Sequence, residues 1–165
     1  MVYLIMGVSG SGKTSVGKVL AKSFSISFYD ADDYHNKKNI EKMKKGISLN
    51  DNDRKPWLDS LALKIKEWNL LGDSVLACSA LKEDYRLILS KNNEITYIFL
   101  EGDYELIYKR LSQRKKHFFS DKMLSKQLST LEIPLDSIKI SIDQPLEEVC
   151  SKLILKLERQ RLKNV

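Results

Sequence analysis

The stretch Gly7-Val8-Ser9-Gly10-Ser11-Gly12-Lys13-Thr14 constrains this chain most, and it follows the apolar run Val2–Met6 directly. A short continuous apolar run suits a strand buried on both faces. The stretch matches GxxxxGK[ST], and a helical pattern follows from about Lys13, with Val16, Val19 and Leu20 on its inner face. Glycines at these positions let the backbone curl so that successive N–H groups converge. The start of the helix adds partial positive charge at the same place. Such a cradle takes phosphate. Gly7 to Thr14 are therefore candidates to hold a nucleoside triphosphate, with Lys13 at the β- and γ-phosphates and the Thr14 hydroxyl on Mg²⁺.

Beyond the loop, short apolar runs alternate with helical patterns. A strand near Ile26–Tyr29 ends in the acidic turn Asp30-Ala31-Asp32-Asp33, and Asn36–Lys45 reads as a helix stopped by Gly46. Pro56 suits the first turn of the next helix, which runs to about Leu70 with Trp57, Leu58, Leu61, Ile65 and Trp68 on its apolar side. Ser74–Cys78 and Ile95–Leu100 are buried-strand candidates, followed by helices over Lys82–Ser90 and Tyr104–Gln113, the latter capped by Asp103. Ser120 is the expected cap of a helix from Asp121 to Glu132. Ile138–Ile142 reads as the last strand, and Pro145 opens a helix with Leu146, Val149, Leu153 and Leu157 inward. This alternation predicts an α/β fold, with a parallel sheet of about five strands flanked by helices. A chain of 165 residues makes one such domain, spanning 1–165. Segments 36–54 and 114–132 read as polar excursions, candidates for an acceptor-binding element and a lid.

Composition excludes more than it assigns. With 42% hydrophobic and 30% charged residues, disorder is not the default. No apolar run approaches the roughly 20 residues of a membrane-spanning helix, and the first residues lack the basic region of a signal peptide. A cytoplasmic protein is expected. Cys78 and Cys150 have neither metal-ligand nor CxxC spacing and read as buried, reduced thiols. The net charge of +6 decides nothing alone. Its clusters, at Lys37-Lys38, Lys44-Lys45 and Arg114-Lys115-Lys116, lack the interleaved aromatics of a single-strand nucleic-acid binder.

The acceptor side starts at Asp30-Ala31-Asp32. Carboxylates at i and i+2 share one side of an extended segment, and strand C-termini open onto the ligand crevice. One acid can hold Mg²⁺ through water while the other takes a hydroxyl proton; a solvated acidic turn is the alternative for such a pair. The remaining motifs are Asp32-Asp33-Tyr34-His35, Asn39-Ile40-Glu41-Lys42-Met43 and Leu49-Asn50-Asp51-Asn52-Asp53-Arg54-Lys55-Pro56-Trp57-Leu58. Further along stand Cys78-Ser79-Ala80-Leu81-Lys82, Tyr85-Arg86, Gly102-Asp103, Arg114-Lys115, His117-Phe118-Phe119 and Asp143-Gln144-Pro145. Together, and in this order, they closely resemble the gluconokinase family.

The resemblance implies a three-layer P-loop kinase fold that uses ATP and Mg²⁺ to phosphorylate the 6-hydroxyl of D-gluconate. It implies Asp32 as the base that orients and deprotonates that hydroxyl, Asp30 as a partner of Mg²⁺, and Arg54 as the grip on the acceptor carboxylate. Lys82 and Arg86 become acceptor contacts, with a solvated helix face as the alternative. His35 is a further acceptor contact or else a capping histidine. Arg114 becomes the lid cation that closes over the phosphates, and Arg110 and Pro145 the adenine sandwich. Phe118 and Phe119 are expected to pack the lid base. The partner implied is a small molecule, with no nucleic acid and no membrane, and a homodimer is among the implied assemblies. Asn36, Lys116 and Ile133 depart from the family's usual proline, glycine and acidic residue, which bears on the lid and not on the reaction. Shikimate kinases share the loop and paired aspartates, but carry a glycine triplet where this chain has Cys78–Lys82. A nucleotide switch or ATPase would end its third strand in a carboxylate; Val75-Leu76-Ala77 ends in Cys78-Ser79.

Overall fold

A computed structural model describes residues 1–113 and 121–163. The first strand, β1 (Val2–Met6), is buried at every position. Because strand side chains alternate, Val2, Leu4 and Met6 enter one hydrophobic layer, and Tyr3 and Ile5 the other. That two-sided burial explains the unbroken apolar run. The other strands are β2 (Ser27–Asp30), β3 (Ser74–Ala77), β4 (Ile95–Glu101) and β5 (Ile138–Ser141). They form one parallel sheet in the order β2-β3-β1-β4-β5, with Val2 level with Ser74 on one side and Ile95 on the other. The order reverses next to β1, so the crevice beyond its C-terminal end is where such a sheet takes its ligand.

The helices are α1 (Lys13–Phe24), α2 (Lys37–Lys44), α3 (Asp51–Leu71), α4 (Glu83–Ser90), α5 (Tyr104–Ser112), α6 (Asp121–Thr130) and α7 (Leu146–Lys163). α3 and α4 cover one face, where Trp57, Leu58, Leu61, Ile65 and Trp68 are buried as their spacing predicts. α1, α5 and α7 cover the other, joined by Leu124 of α6. Each fully buried leucine, such as Leu61, adds about 1.5–3 kcal/mol of burial. Cys78 and Cys150 are buried free thiols. Among the described residues no helix is long and apolar enough to cross a membrane.

Four local expectations change. Val19 is 36% exposed, because α1 lies close on the sheet through Gly17 and Ala21. A Cβ on Gly17 would sit 2.5 Å from the Phe28 ring, so the inner stripe runs through the small residues. Leu146, 44% exposed, is the first residue of α7 and precedes its turn onto the sheet; Val149, Leu153 and Leu157 are inward. Pro56 stands in the second turn of α3. The helix begins five residues earlier, at Asp51, because Asn50 and Asp53 form a capping box. The polar excursion expected over 36–54 accordingly ends at Asn50, and Arg54 belongs to α3. α2 stops as predicted: Gly46 takes φ +71°, the Gly46 N–H reaches Met43 O, and the Ile47 N–H reaches Lys42 O. Asn36 caps that helix, accepting from the Asn39 N–H at 2.8 Å. Asp103 caps α5. Ser120, the expected cap of α6, lies outside the described residues.

Candidate active site

A cleft of about 450 Å³ opens beyond the C-terminal ends of β1, β2 and β3. Its walls include Lys13 and Thr14 of the phosphate loop, Asp30 and Asp32 after β2, His35, and Arg54 of α3. Residues separated by 40 positions in sequence thus share one space.

The loop's path depends on its glycines. Gly10 adopts φ +82°, and a Cβ there would sit 2.7 Å from Leu111 Cγ of α5. Lys13 Nζ donates to Val8 O at 3.1 Å, folding the ammonium back over the loop. Thr14 Oγ1 donates to Asp30 Oδ2 at 3.0 Å, while Asp30 Oδ1 accepts from the Asp32 N–H at 3.1 Å. Asp30 therefore clamps the loop's hydroxyl to the acidic turn. Thr14 and Asp30 offer hard oxygen donors side by side, which suits Mg²⁺. Among the described residues no three His, Cys, Asp or Glu side chains cluster as a metal site, so such an ion would rest mainly on phosphate oxygens and water.

The acidic turn, a short 3₁₀ segment over Ala31–Tyr34, is held from below. Trp57 Nε1 donates to Ala31 O at 3.0 Å in the buried layer under it. Asp32 faces the open cleft and its side chain is 84% exposed. The poorer hydration of a concave site nevertheless raises its pKa, and the Asp30 charge raises it further, against the pull of Lys13. His35 is different. Its side chain is 4% exposed and stacks on Trp57 at 4.2 Å. Burial first, then the Arg54 charge, lower its pKa to about 4. Asn39 Nδ2 donates to Asp53 O at 2.9 Å and lies 3.4 Å from His35 Nδ1. An amide NH₂ only donates, so Nδ1 accepts and the ring proton sits on Nε2, 3.9 Å from Asp32 Oδ1.

The first turn of α3 forms the far wall. Asp53 closes the capping box and also holds Lys42 at 2.8 Å, which lowers its pKa. Arg54 points into the cleft; its Nη1 donates to Leu49 O, and its guanidinium lies over the Tyr85 ring at 5.8 Å. Asp51 accepts from Tyr85 and from Lys82, and these bonds hold its carboxyl below the usual range. The motif from Asn50 to Trp57 thus divides its labour between capping, bracing and the cleft.

A family model described as shikimate kinase matches residues 9–160. The thermoresistant gluconokinase of Escherichia coli K12 is 44% identical over 161 residues, 93% of this chain and 91% of that one. A solved gluconokinase from Sinorhizobium meliloti is 34% identical, with a TM-score of 0.85 over 96% of this chain and 92% of that one. The chain belongs to the gluconokinase family. A solved shikimate kinase from Aquifex aeolicus, 23% identical over 98% of this chain and 99% of that one with a TM-score of 0.58, shares the fold alone.

Within this gluconokinase-family cleft, two expected acceptor contacts stand elsewhere. Arg86 is 8% exposed, and its Nη1 donates to Ala80 O at 2.9 Å and Leu81 O at 3.1 Å. It supports the loop between β3 and α4 from beneath and does not line the cleft. The reason is local: Ala80 adopts φ +42°, a turn whose carbonyls need a buried donor. Lys82 stands at the N-cap position of α4 without a capping bond, and its ammonium is bound to Asp51 at 2.9 Å outside the lining. Arg110 Nη2 donates to Ile142 O at 2.6 Å, at the strand end three residues before Pro145. Arg114, Phe118 and Phe119 lie outside the described residues. Sequence reasoning passed over one face of α6, where Met123, Lys126, Gln127 and Thr130 line the cleft. Their i, i+3, i+4, i+7 spacing was the available signal.

Proposed function

We propose that this protein transfers the γ-phosphoryl group of ATP to the 6-hydroxyl of D-gluconate, giving 6-phosphogluconate and ADP. One observation carries the reading: phosphate loop, Asp32 and Arg54 line a single cleft, in a chain 44% identical to a gluconokinase. The loop holds the triphosphate. Asp32 orients the hydroxyl and accepts its proton as the new O–P bond forms in line with the departing ADP oxygen. A raised pKa brings that carboxylate closer to the strength a base needs. Arg54, braced by Leu49 O and Tyr85, grips the acceptor carboxylate, a match its planar fork favours. His35, neutral and with its proton on Nε2, offers the acceptor a hydrogen bond and no charge. Mg²⁺ held near Thr14 and Asp30 would neutralise the phosphate charge. Arg114 is the lid cation of this reading, and Arg110 and Pro145 its adenine contacts. The partner is a small acid, and the reaction belongs in the cytoplasm.

Shikimate is disfavoured because Cys78–Lys82 contains no glycine where shikimate kinases have three. A coupled ADP-release assay across gluconate, shikimate, glycerate and nucleosides tests the reading. Turnover with gluconate well above the others is expected. Turnover with shikimate and none with gluconate would overturn it.

A further inference from the structure

Leu124 of α6 is buried in the core and Leu128 packs beside it, while the adjoining face lines the cleft. The reaction as derived above uses nothing from that cleft-lining face.

Gln127 ties the helix to the phosphate loop at two points. The Ser9 N–H donates to Gln127 Oε1 at 2.7 Å, and Gln127 Nε2 donates to Ser9 Oγ at 3.1 Å. A main-chain N–H only donates, so the carboxamide has one orientation that satisfies both contacts. Just past the C-terminal end of α6, five residues after Gln127, the Glu132 N–H donates to Leu81 O at 2.9 Å, and the Glu132 carboxylate accepts from the Glu83 N–H. The C-terminal end of the helix therefore bridges from the phosphate loop to the loop after β3.

Lys126 precedes Gln127 on that bridge. It lines the cleft, and among the described residues no carboxylate lies within ion-pair distance of it. Lys13 belongs to the phosphate loop and Arg54 to the acceptor wall, whereas Lys126 enters from a third side. A triphosphate and an acid acceptor bring heavy negative charge to a site that already holds Asp30 and Asp32. Phosphoryl transfer is accelerated chiefly by cations fixed where that charge spreads.

We infer that Lys126 is a cation for the transferred phosphoryl group and that Gln127 positions it by pinning α6 to Ser9. The inference rests on the kinase reading above. The ammonium keeps its proton throughout and only donates hydrogen bonds to the non-bridging oxygens.

The test is a kinetic cycle on the full chain: wild type, Lys126→Met, Gln127→Ala and the double variant, with Lys126→Arg as the rescue. Each is compared with wild type on whichever acceptor wild type phosphorylates, so failure of gluconate as the substrate registers separately. Lys126→Met should lower kcat by about a hundredfold, as loss of one transition-state donor does. Acceptor KM and the ADP Kd should stay within about threefold of wild type. Lys126→Arg should recover most of the loss. Gln127→Ala should lower kcat about tenfold with an unchanged Tm, and the double variant should match Lys126→Met alone. Wild-type kcat in Lys126→Met would overturn the phosphoryl contact. Losses that multiply in the double variant, or a Gln127→Ala loss that tracks a fall in Tm, would overturn the positioning role.

Discussion

Trp57 Nε1 donates to the main-chain oxygen of Ala31 at 3.0 Å, across 26 residues of sequence. Ala31 lies between the two acids of the turn, so this bond fixes the backbone from which Asp30 and Asp32 project. The same indole carries the His35 ring at 4.2 Å. A residue whose spacing marks it as core is thus also the platform beneath this wall of the cleft.

Trp57→Phe keeps a benzene ring but deletes the N–H together with the pyrrole half of the indole. The Ala31 carbonyl is then buried without a donor, at a cost of about 1–3 kcal/mol. The catalytic effect should be the larger one, because a small displacement of Asp32 degrades the attack geometry. We expect kcat to fall at least about tenfold, with ATP affinity unchanged. Kinetics alongside thermal unfolding check this. A fall in Tm with kcat intact would mean that the turn holds its shape without the bond.

Asp32 should show activity and stability pulling apart. Its carboxyl titrates above the ordinary carboxylate range, through desolvation and the Asp30 charge. A carboxyl with a raised folded-state pKa favours the fold most when protonated, and that contribution is lost as pH rises through the folded value. At neutral pH the ionised side chain therefore costs stability, which Asp32→Asn relieves. Tm should rise at pH 7, and the gain should vanish at low pH, where Asp32 is protonated in both states. Turnover should drop by roughly 10²–10⁴-fold as the base is removed. Wild-type turnover in Asp32→Asn would eliminate Asp32 as the base.

How much of this was legible beforehand depends on how local each signal is. β1 and the phosphate loop are contiguous, and two-sided burial leaves an unbroken apolar run, so both could be read directly. The capping box of Asn50 and Asp53 was equally local, but the expectation that Pro56 marks a first turn displaced it. Arg86 and Lys82 are one turn apart and look alike on paper. Only the left-handed turn at Ala80, which no glycine announces, shows that one guanidinium is needed underneath. The cleft face of α6 was hidden for a different reason. Polar residues at helical spacing read as a solvated face until the fold sets a phosphate loop against them.

Arg54 supplies a third kinetic prediction. Its planar fork can hold a carboxylate by two bonds, whereas an ammonium offers a point charge. Arg54→Lys should raise the gluconate KM by roughly tenfold to a hundredfold, the cost of a charge-assisted hydrogen bond, while the ATP KM stays put. An unchanged gluconate KM would place the carboxylate grip on another residue.

His35 supplies a pH signature. Its folded-state pKa is about 4 against an ordinary 6.5, so between these values the unfolded chain binds a proton that the folded chain does not. Stability is complete above about pH 6.5 and declines as pH falls toward 4. The full shift corresponds to about 3 kcal/mol. His35→Gln cannot titrate, so the difference between its unfolding free energy and that of wild type should slope across this window. A constant difference would show that the imidazole charges freely in the fold.

The last prediction separates a support from a contact. Arg86 is sealed under the loop after β3, with its guanidinium on the carbonyls of Ala80 and Leu81. Arg86→Met keeps most of the apolar stem and removes the donors, leaving the Ala80 carbonyl without its partner while Leu81 O keeps the Glu132 N–H. It should cost about 1–3 kcal/mol of stability and leave the gluconate KM within a few-fold of wild type. Ala80→Gly bears on the same loop from the backbone. Relief of a left-handed alanine is worth about 1–2 kcal/mol, and the added freedom of the unfolded glycine offsets about 0.4–1 kcal/mol of it. That variant should therefore be neutral or slightly stabilising, although alanine-to-glycine changes usually destabilise. Chemical denaturation with steady-state kinetics distinguishes the two roles. If Arg86→Met held its stability and lost gluconate affinity, the side chain would be reaching the acceptor and not holding the loop.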